Sequence, residues 1–220
     1  MKIYLSSYRI GNKPDRLLSS HAATARVAVI QNASDGNPDF EGRAKALRRD
    51  FDELSNIGLE PEQVDLRRFF GKVDTLARHL DRFSYLWVTG GNAFVLRRAF
   101  ALTGLDTWLI AQNAGDSVTY GGYSAGACVL TPTLKGIHLA DEPELTPAGY
   151  ESAPVIWEGL GLCPYCIAPH YRSDHPESPI IEKSVAYFLE NAIPFVALRD
   201  GQAIVLGADR RSNETAGGDA

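Results

Sequence analysis

Ser124 lies between glycines in Gly122-Tyr123-Ser124-Ala125-Gly126. A serine hydroxyl attacks a carbonyl only when a turn exposes it and a neighbouring base takes its proton. Gly-x-Ser-x-Gly spacing supplies the exposure where a strand runs into a helix, because the small flanking residues let the two elements approach closely. The flanks read that way: Thr119-Tyr120-Gly121-Gly122-Tyr123 has a strand pattern, and Ala125-Gly126-Ala127-Cys128-Val129-Leu130 a helical one. The Ala125 N–H then becomes a candidate oxyanion donor. Taken alone, the same five residues equally describe a serine N-cap after a glycine turn.

Three other segments bear on that choice. Gly90-Gly91-Asn92 follows an apolar run over 84–89 and precedes a helical pattern over 93–102. Gly91 is the candidate second oxyanion donor, and Asn92 is a candidate N-cap and substrate contact. Cys166-Ile167-Ala168-Pro169-His170-Tyr171 ends a short strand at Pro169 and sets His170 just beyond it, where a general base is needed. Of the five histidines, His21, His79 and His138 read as loop or surface residues, and His175 is the nearest competitor. The acid that orients the base is Asp200, at the end of Phe195-Val196-Ala197-Leu198-Arg199-Asp200-Gly201, or Asp141, in Asp141-Glu142-Pro143. Asp200-Gly201 also reads as a hairpin turn joining two strands, and Asp141 as an exposed acidic loop.

The elements that must position these residues alternate. Strands are expected over 3–7, 26–31, 64–69, 84–89, 118–123, 165–168, 195–199 and 203–206. Helices are expected over 73–81, 93–102, from near Ser124, and over 177–191. A further helix carries the stripe Phe40, Ala44, Leu47, Phe51 and Leu54 at spacings of four and three. Such alternation indicates βαβ units and a mainly parallel sheet, with the site along the rim of strand C-terminal ends. The 220 residues suit one α/β domain over 1–208, with a polar tail over 209–220 expected to fray.

Composition is that of an ordinary globular protein, 45% hydrophobic and 22% charged, with net charge −5. Without a basic patch, no nucleic-acid or anionic-membrane partner is expected. No run has signal-peptide or transmembrane length, so a cytoplasmic location is expected. Cys163-Pro164-Tyr165-Cys166 has redox spacing but enters a strand, and no second pair completes a zinc site, so the cysteines read as core residues. No metal or cofactor is expected. Trp108 and Trp157 are candidates for a homodimer interface.

In order along the chain, Val88-Thr89-Gly90-Gly91-Asn92, Gly122-Tyr123-Ser124-Ala125-Gly126, Ala168-Pro169-His170-Tyr171 and Leu198-Arg199-Asp200-Gly201 resemble the dipeptidase E and cyanophycinase family of serine peptidases. The resemblance implies a three-layer fold like the class I glutamine amidotransferase domain, which is flavodoxin-like, with serine at the elbow. It implies a triad of Ser124, His170 and an acid, Asp200 or Asp141, acting on small peptides. Members that prefer an N-terminal aspartate carry an arginine beyond the histidine. Here Arg172 is the candidate, in a pattern that differs. Two rival functions stay open from the residues alone: an α/β-hydrolase esterase using Asp141, and a non-catalytic amidotransferase-like binding domain.

Overall fold

The computed structural model describes residues 1–18, 25–115, 117–207 and 214–215. Among them the chain order is β1 (Lys2–Ser6), β2 (Arg26–Ile30), α1 (Phe40–Asn56), β3 (Glu60–Gln63), α2 (Val73–Leu80), β4 (Tyr85–Val88), α3 (Ala93–Thr103), α4 (Leu105–Gln112), β5 (Thr119–Tyr123), α5 (Ala125–Cys128), β6 (Cys166–Ala168), α6 (Ser178–Glu190), β7 (Phe195–Ala197), β8 (Ala203–Leu206) and β9 (Glu214–Thr215). The main sheet has the order β3-β2-β4-β5-β1-β8-β9. Its first five strands are parallel, and β8 and β9 close it antiparallel. Strands β6 and β7 form a separate parallel pair.

Successive residues of a strand point to opposite faces, and here both faces are covered. Ile3, Leu5, Ala28, Ile30, Leu86 and Val88 enter one core, while Tyr4, Val27, Val29, Tyr85 and Trp87 enter the other. Helix α1 covers the second face through Leu47, Phe51 and Leu54. Helices α2 to α6 cover the first, through residues such as Leu76, Phe94, Leu109, Cys128 and Phe188. The three-layer α/β architecture read from the sequence is the one observed. Among the described residues no helix is long and apolar enough to cross a membrane.

Several local expectations are corrected. The strand expected over 64–69 is a 3₁₀ turn, Leu66–Phe69, whose start is capped by Asp65 accepting from the Arg67 N–H at 3.1 Å. The edge strand is instead β3, Glu60–Gln63, with Pro61 opposite Val27. Proline is tolerated there because an edge strand leaves one row of N–H groups unpaired. Helix α4 was not anticipated: Gly104, with φ 74°, ends α3 and lets a new helix start at once. The stripe on α1 begins later than expected, since Phe40 is 74% exposed beneath the Arg43 guanidinium. Asp200-Gly201 is not a hairpin, because β7 belongs to the small sheet and β8 to the main one. Within the tail expected to fray, Glu214–Thr215 pairs with β8. The rest of that tail, apart from Glu214–Thr215, and His21 fall outside the described residues.

Candidate active site

Ser124 is the junction between β5 and α5, with φ 49° and ψ −115°. A non-glycine residue in that region is strained, and it persists only where its surroundings hold it. The hold is visible here. A Cβ on Gly126 would stand 2.2 Å from the Val88 carbonyl oxygen, and one on Gly122 would stand 2.8 Å from that of Gly126. Both positions therefore admit only glycine. The Tyr120 hydroxyl donates to the Gly126 carbonyl at 2.6 Å, and the Ser124 N–H donates to the Ser6 carbonyl at 3.3 Å. Ser124 is 9% exposed, and among the described residues its hydroxyl makes no hydrogen bond.

The Gly90-Gly91-Asn92 turn lies directly against the elbow: a Cβ on Gly90 would fall 3.1 Å from that of Ser124. Gly91 has φ 138° and packs so tightly on Ala33 that a Cβ would meet its carbonyl oxygen at 2.6 Å. Neither the Gly91 nor the Ala125 N–H donates to any group among the described residues. Two donors without partners among the described residues, beside the buried Ser124, suit a ligand oxygen that carries negative charge.

His170 and Asp200 are brought together by the small sheet. Ala168 pairs with Ala197, and the ladder continues through Leu198 N–H to Ala168 and Tyr171 N–H to Leu198, at 2.9 and 3.0 Å. Both strands therefore end side by side. His170 takes φ 59° and is 2% exposed, and its Nδ1 lies 2.8 Å from Asp200 Oδ1. Burial alone would raise the Asp200 pKa. Hydrogen bonds from His170 and Ser7 and the nearby imidazoles outweigh it and hold the carboxyl below its ordinary value. That keeps Asp200 ionised, so Nδ1 carries the ring proton and Nε2 presents a lone pair.

Ser7, which the sequence reading did not single out, joins the pieces. Its hydroxyl accepts from the His170 N–H at 2.7 Å and donates to Asp200 Oδ1 at 2.7 Å. The preceding residue, Ser6, holds the Ser124 backbone, so consecutive residues at the end of β1 fix both halves of the candidate site. The available signal was positional: Ser7 ends a strand on the same rim as Ser124.

Asp141 is elsewhere in the bonding pattern. Its Oδ2 accepts from the Ala93 N–H at 2.8 Å, at the start of α3, and it has no hydrogen bond to His170. Burial pushes its carboxyl up to about 7, with the Ala93 bond pulling back and the Glu177 charge adding to the rise. Asn92 caps α3, accepting from Phe94 and Val95 N–H at 2.9 and 3.0 Å, and ties down the Glu142 carbonyl at 2.9 Å. Arg172, 61% exposed, lies over the Tyr171 ring and 3.8 Å from Glu182, so it is turned away from His170. His175 stacks on His170 with centroids 3.7 Å apart, and Glu177 Oε2 stands 3.9 Å from His170 Nε2. His138 and Trp157 pack on each other, and Trp157 also meets Phe94, so this tryptophan is engaged within its own chain. All three cysteines are buried free thiols, and burial raises the pKa of each.

Behind the elbow runs a polar chain that the apolar pattern of α1 concealed. Tyr123 donates to the buried Asp50 at 3.1 Å, and Arg49 reaches the hydroxyls of Tyr8 and Tyr123 at 3.1 and 3.4 Å. The Tyr8 ring stands edge-on to Tyr123, His170 and His175. Asp50 Oδ1 has no hydrogen-bond partner, and burial, against the pull of Arg49 and Tyr123, lifts its pKa to about 6.

With this geometry in view, known proteins give a consistent comparison. Residues 18–212 match peptidase family S51. Peptidase E of Streptomyces coelicolor is 34% identical over 193 residues, a match covering 86% of this chain and 70% of that protein. An uncharacterised peptidase of Listeria innocua is 28% identical over 138 residues, covering 63% of this chain and 62% of that one. In fold, the chain is similar to the crystal structure of a candidate peptidase E from Listeria monocytogenes EGD-e. The TM-score is 0.73 at 23% identity, over 93% of each chain. A peptidase from an acI-B1 Actinobacterium aligns with TM-score 0.63 at 15% identity, over 93% of this chain and 82% of that one. The chain belongs to peptidase family S51 and is a serine-type peptidase.

Proposed function

We propose that the protein hydrolyses small peptides through an acyl-enzyme, with Ser124 as nucleophile, His170 as general base and Asp200 as the acid that orients it. The observation that carries the reading is the 2.8 Å contact between His170 Nδ1 and Asp200, at an imidazole anchored beside the elbow through Ser7. His170 Nε2 takes the Ser124 proton as the hydroxyl oxygen attacks the peptide carbonyl. The Gly91 and Ala125 N–H groups hold the oxyanion, and the imidazolium protonates the departing amine. Water, deprotonated by the same nitrogen, then hydrolyses the ester. Asp200, already anionic, balances the imidazolium that forms in each step.

Dipeptides with an N-terminal acidic residue are the finer proposal, and the resemblance of the site motifs to the dipeptidase E family motivates it. Such a residue needs a cation. Arg172 is the nearest candidate by sequence, and it must leave Tyr171 and Glu182 to serve. Asn92 contributes a contact only through the amide hydrogen that its own bonds leave over. A dipeptide panel varying the N-terminal residue, run on wild type and Ser124→Ala, tests both levels. Hydrolysis by wild type alone, with fluorophosphonate labelling lost in Ser124→Ala, is expected. An active Ser124→Ala protein would remove the nucleophile, and equal rates across the panel would remove the acidic preference.

A further inference from the structure

The Nε2 side of the buried His170 ring faces groups that peptide hydrolysis leaves unused. His170, His175 and Glu177 each offer one donor atom, and these lie within 4.8 Å of one another. Asp200 holds the Nδ1 proton, which leaves Nε2 as a lone pair facing Glu177 Oε2 at 3.9 Å. A carboxylate behind an imidazole is also the arrangement that orients metal-binding histidines and raises their basicity. One ligand is therefore preset, with its backbone fixed by Ser7.

The other two have room to adjust. Glu177 is the N-cap of α6, but its carboxylate makes no capping bond and its side chain is 48% exposed. His175 is held by the stack on His170 and by a 3.2 Å bond that its Nδ1 accepts from the Glu177 N–H. Ligands of a tetrahedral zinc-type ion lie about 2.0–2.2 Å from the metal, so donor atoms must close to about 3.4 Å of one another. Reaching that distance requires His175 to turn out of its stack and Glu177 to draw in. Two imidazoles and one carboxylate suit a borderline cation such as Zn²⁺, and not Mg²⁺ or Ca²⁺, which take oxygen ligands in larger number. Arg172, the basic residue nearest in sequence, is turned toward Glu182 and does not compete for the site.

We propose that His170, His175 and Glu177 form a reversible site for a zinc-class divalent cation, which silences the peptidase by occupying the nitrogen that must accept the Ser124 proton. The site itself rests on the side-chain geometry, while the silencing rests on His170 being the base. Calorimetric titration of zinc into the chelator-treated Ser124→Ala protein reads binding without catalysis. One ion per chain is expected, with affinity reduced at least about tenfold in Glu177→Gln and in His175→Gln, and about 10–100-fold in Asp200→Asn. In the active protein, hydrolysis and fluorophosphonate labelling should fall together with zinc and return with EDTA, while Mg²⁺ and Ca²⁺ have no effect. For Glu177→Gln and His175→Gln, each compared with its own zinc-free rate, half-inhibition should require at least about tenfold more zinc. No binding, or binding unchanged in Glu177→Gln and His175→Gln, overturns the site. Stoichiometric binding that leaves hydrolysis untouched overturns the silencing and, with it, the assignment of His170 as base.

Discussion

Replacing Asp200 with asparagine tests how the base is oriented. Asp200 Oδ1 accepts from both His170 Nδ1 and the Ser7 hydroxyl, at 2.8 and 2.7 Å. The amide keeps the shape but loses the charge, and with its NH₂ toward the ring it forces the proton onto Nε2, the nitrogen that must be free. Loss of the correct tautomer costs about 10⁴ in kcat in a serine triad, and at 1.36 kcal/mol per decade this is about 5 kcal/mol of transition-state stabilisation. Asp141→Asn is the matched control. Burial raises the Asp141 carboxyl to about 7, so at neutral pH the charge lost on substitution is already partly absent, and an amide oxygen can still accept from Ala93. Its substitution should change kcat/KM by less than about tenfold. Steady-state kinetics on a cleaved dipeptide and fluorophosphonate labelling rates measure both, with melting curves to establish folding. A large loss in Asp141→Asn beside a small one in Asp200→Asn would refute the reasoning.

Other substitutions probe the supports. Ser7→Ala should lower kcat and leave KM nearly unchanged, and it should destabilise the protein by about 1–3 kcal/mol, since the buried His170 N–H loses its acceptor. Denaturant unfolding beside steady-state kinetics checks it, and an unaffected kcat would separate Ser7 from the site. Gly91→Ala should cost about 10²–10³ in rate by displacing an oxyanion donor, because its Cβ would strike the Ala33 carbonyl at 2.6 Å; a rate within threefold of wild type would remove Gly91 from that role. Asp50 has its pKa raised on folding, from 3.8 to about 6. Its contribution to stability is therefore complete below pH 3.8 and lost as pH rises through 6. Asp50→Asn should gain on wild type across that window by about 3 kcal/mol, and parallel stability–pH curves for the two proteins would count against it.

The sequence by itself determined the elements whose residues carry their own signal. Apolar runs such as 84–89 and 118–123 mark strands buried on both faces, and burial on both faces implies helices above and below the sheet. Gly122 and Gly126 mark the elbow because close approach of strand and helix demands glycine there. Gly91 and Asn92 mark a turn and a cap in the same local way. The edge strand β3 escaped notice because an edge beside Pro61 needs no apolar run, and α4 because Gly104 stops one helix and starts another.

The choice between Asp200 and Asp141 could not be made locally. Each is an acid near a loop, and only the pairing of β6 with β7 puts one of them 2.8 Å from the His170 ring, while the start of α3 takes the other. Ser7 gained its place the same way, 163 residues from the histidine whose N–H it accepts. His175, read as a competitor for the base, stacks on His170. Spacing along a chain records what adjacent residues do to one another. Which side chains meet across a rim depends on strand order and on where each strand stops, and those are settled by packing of the whole sheet.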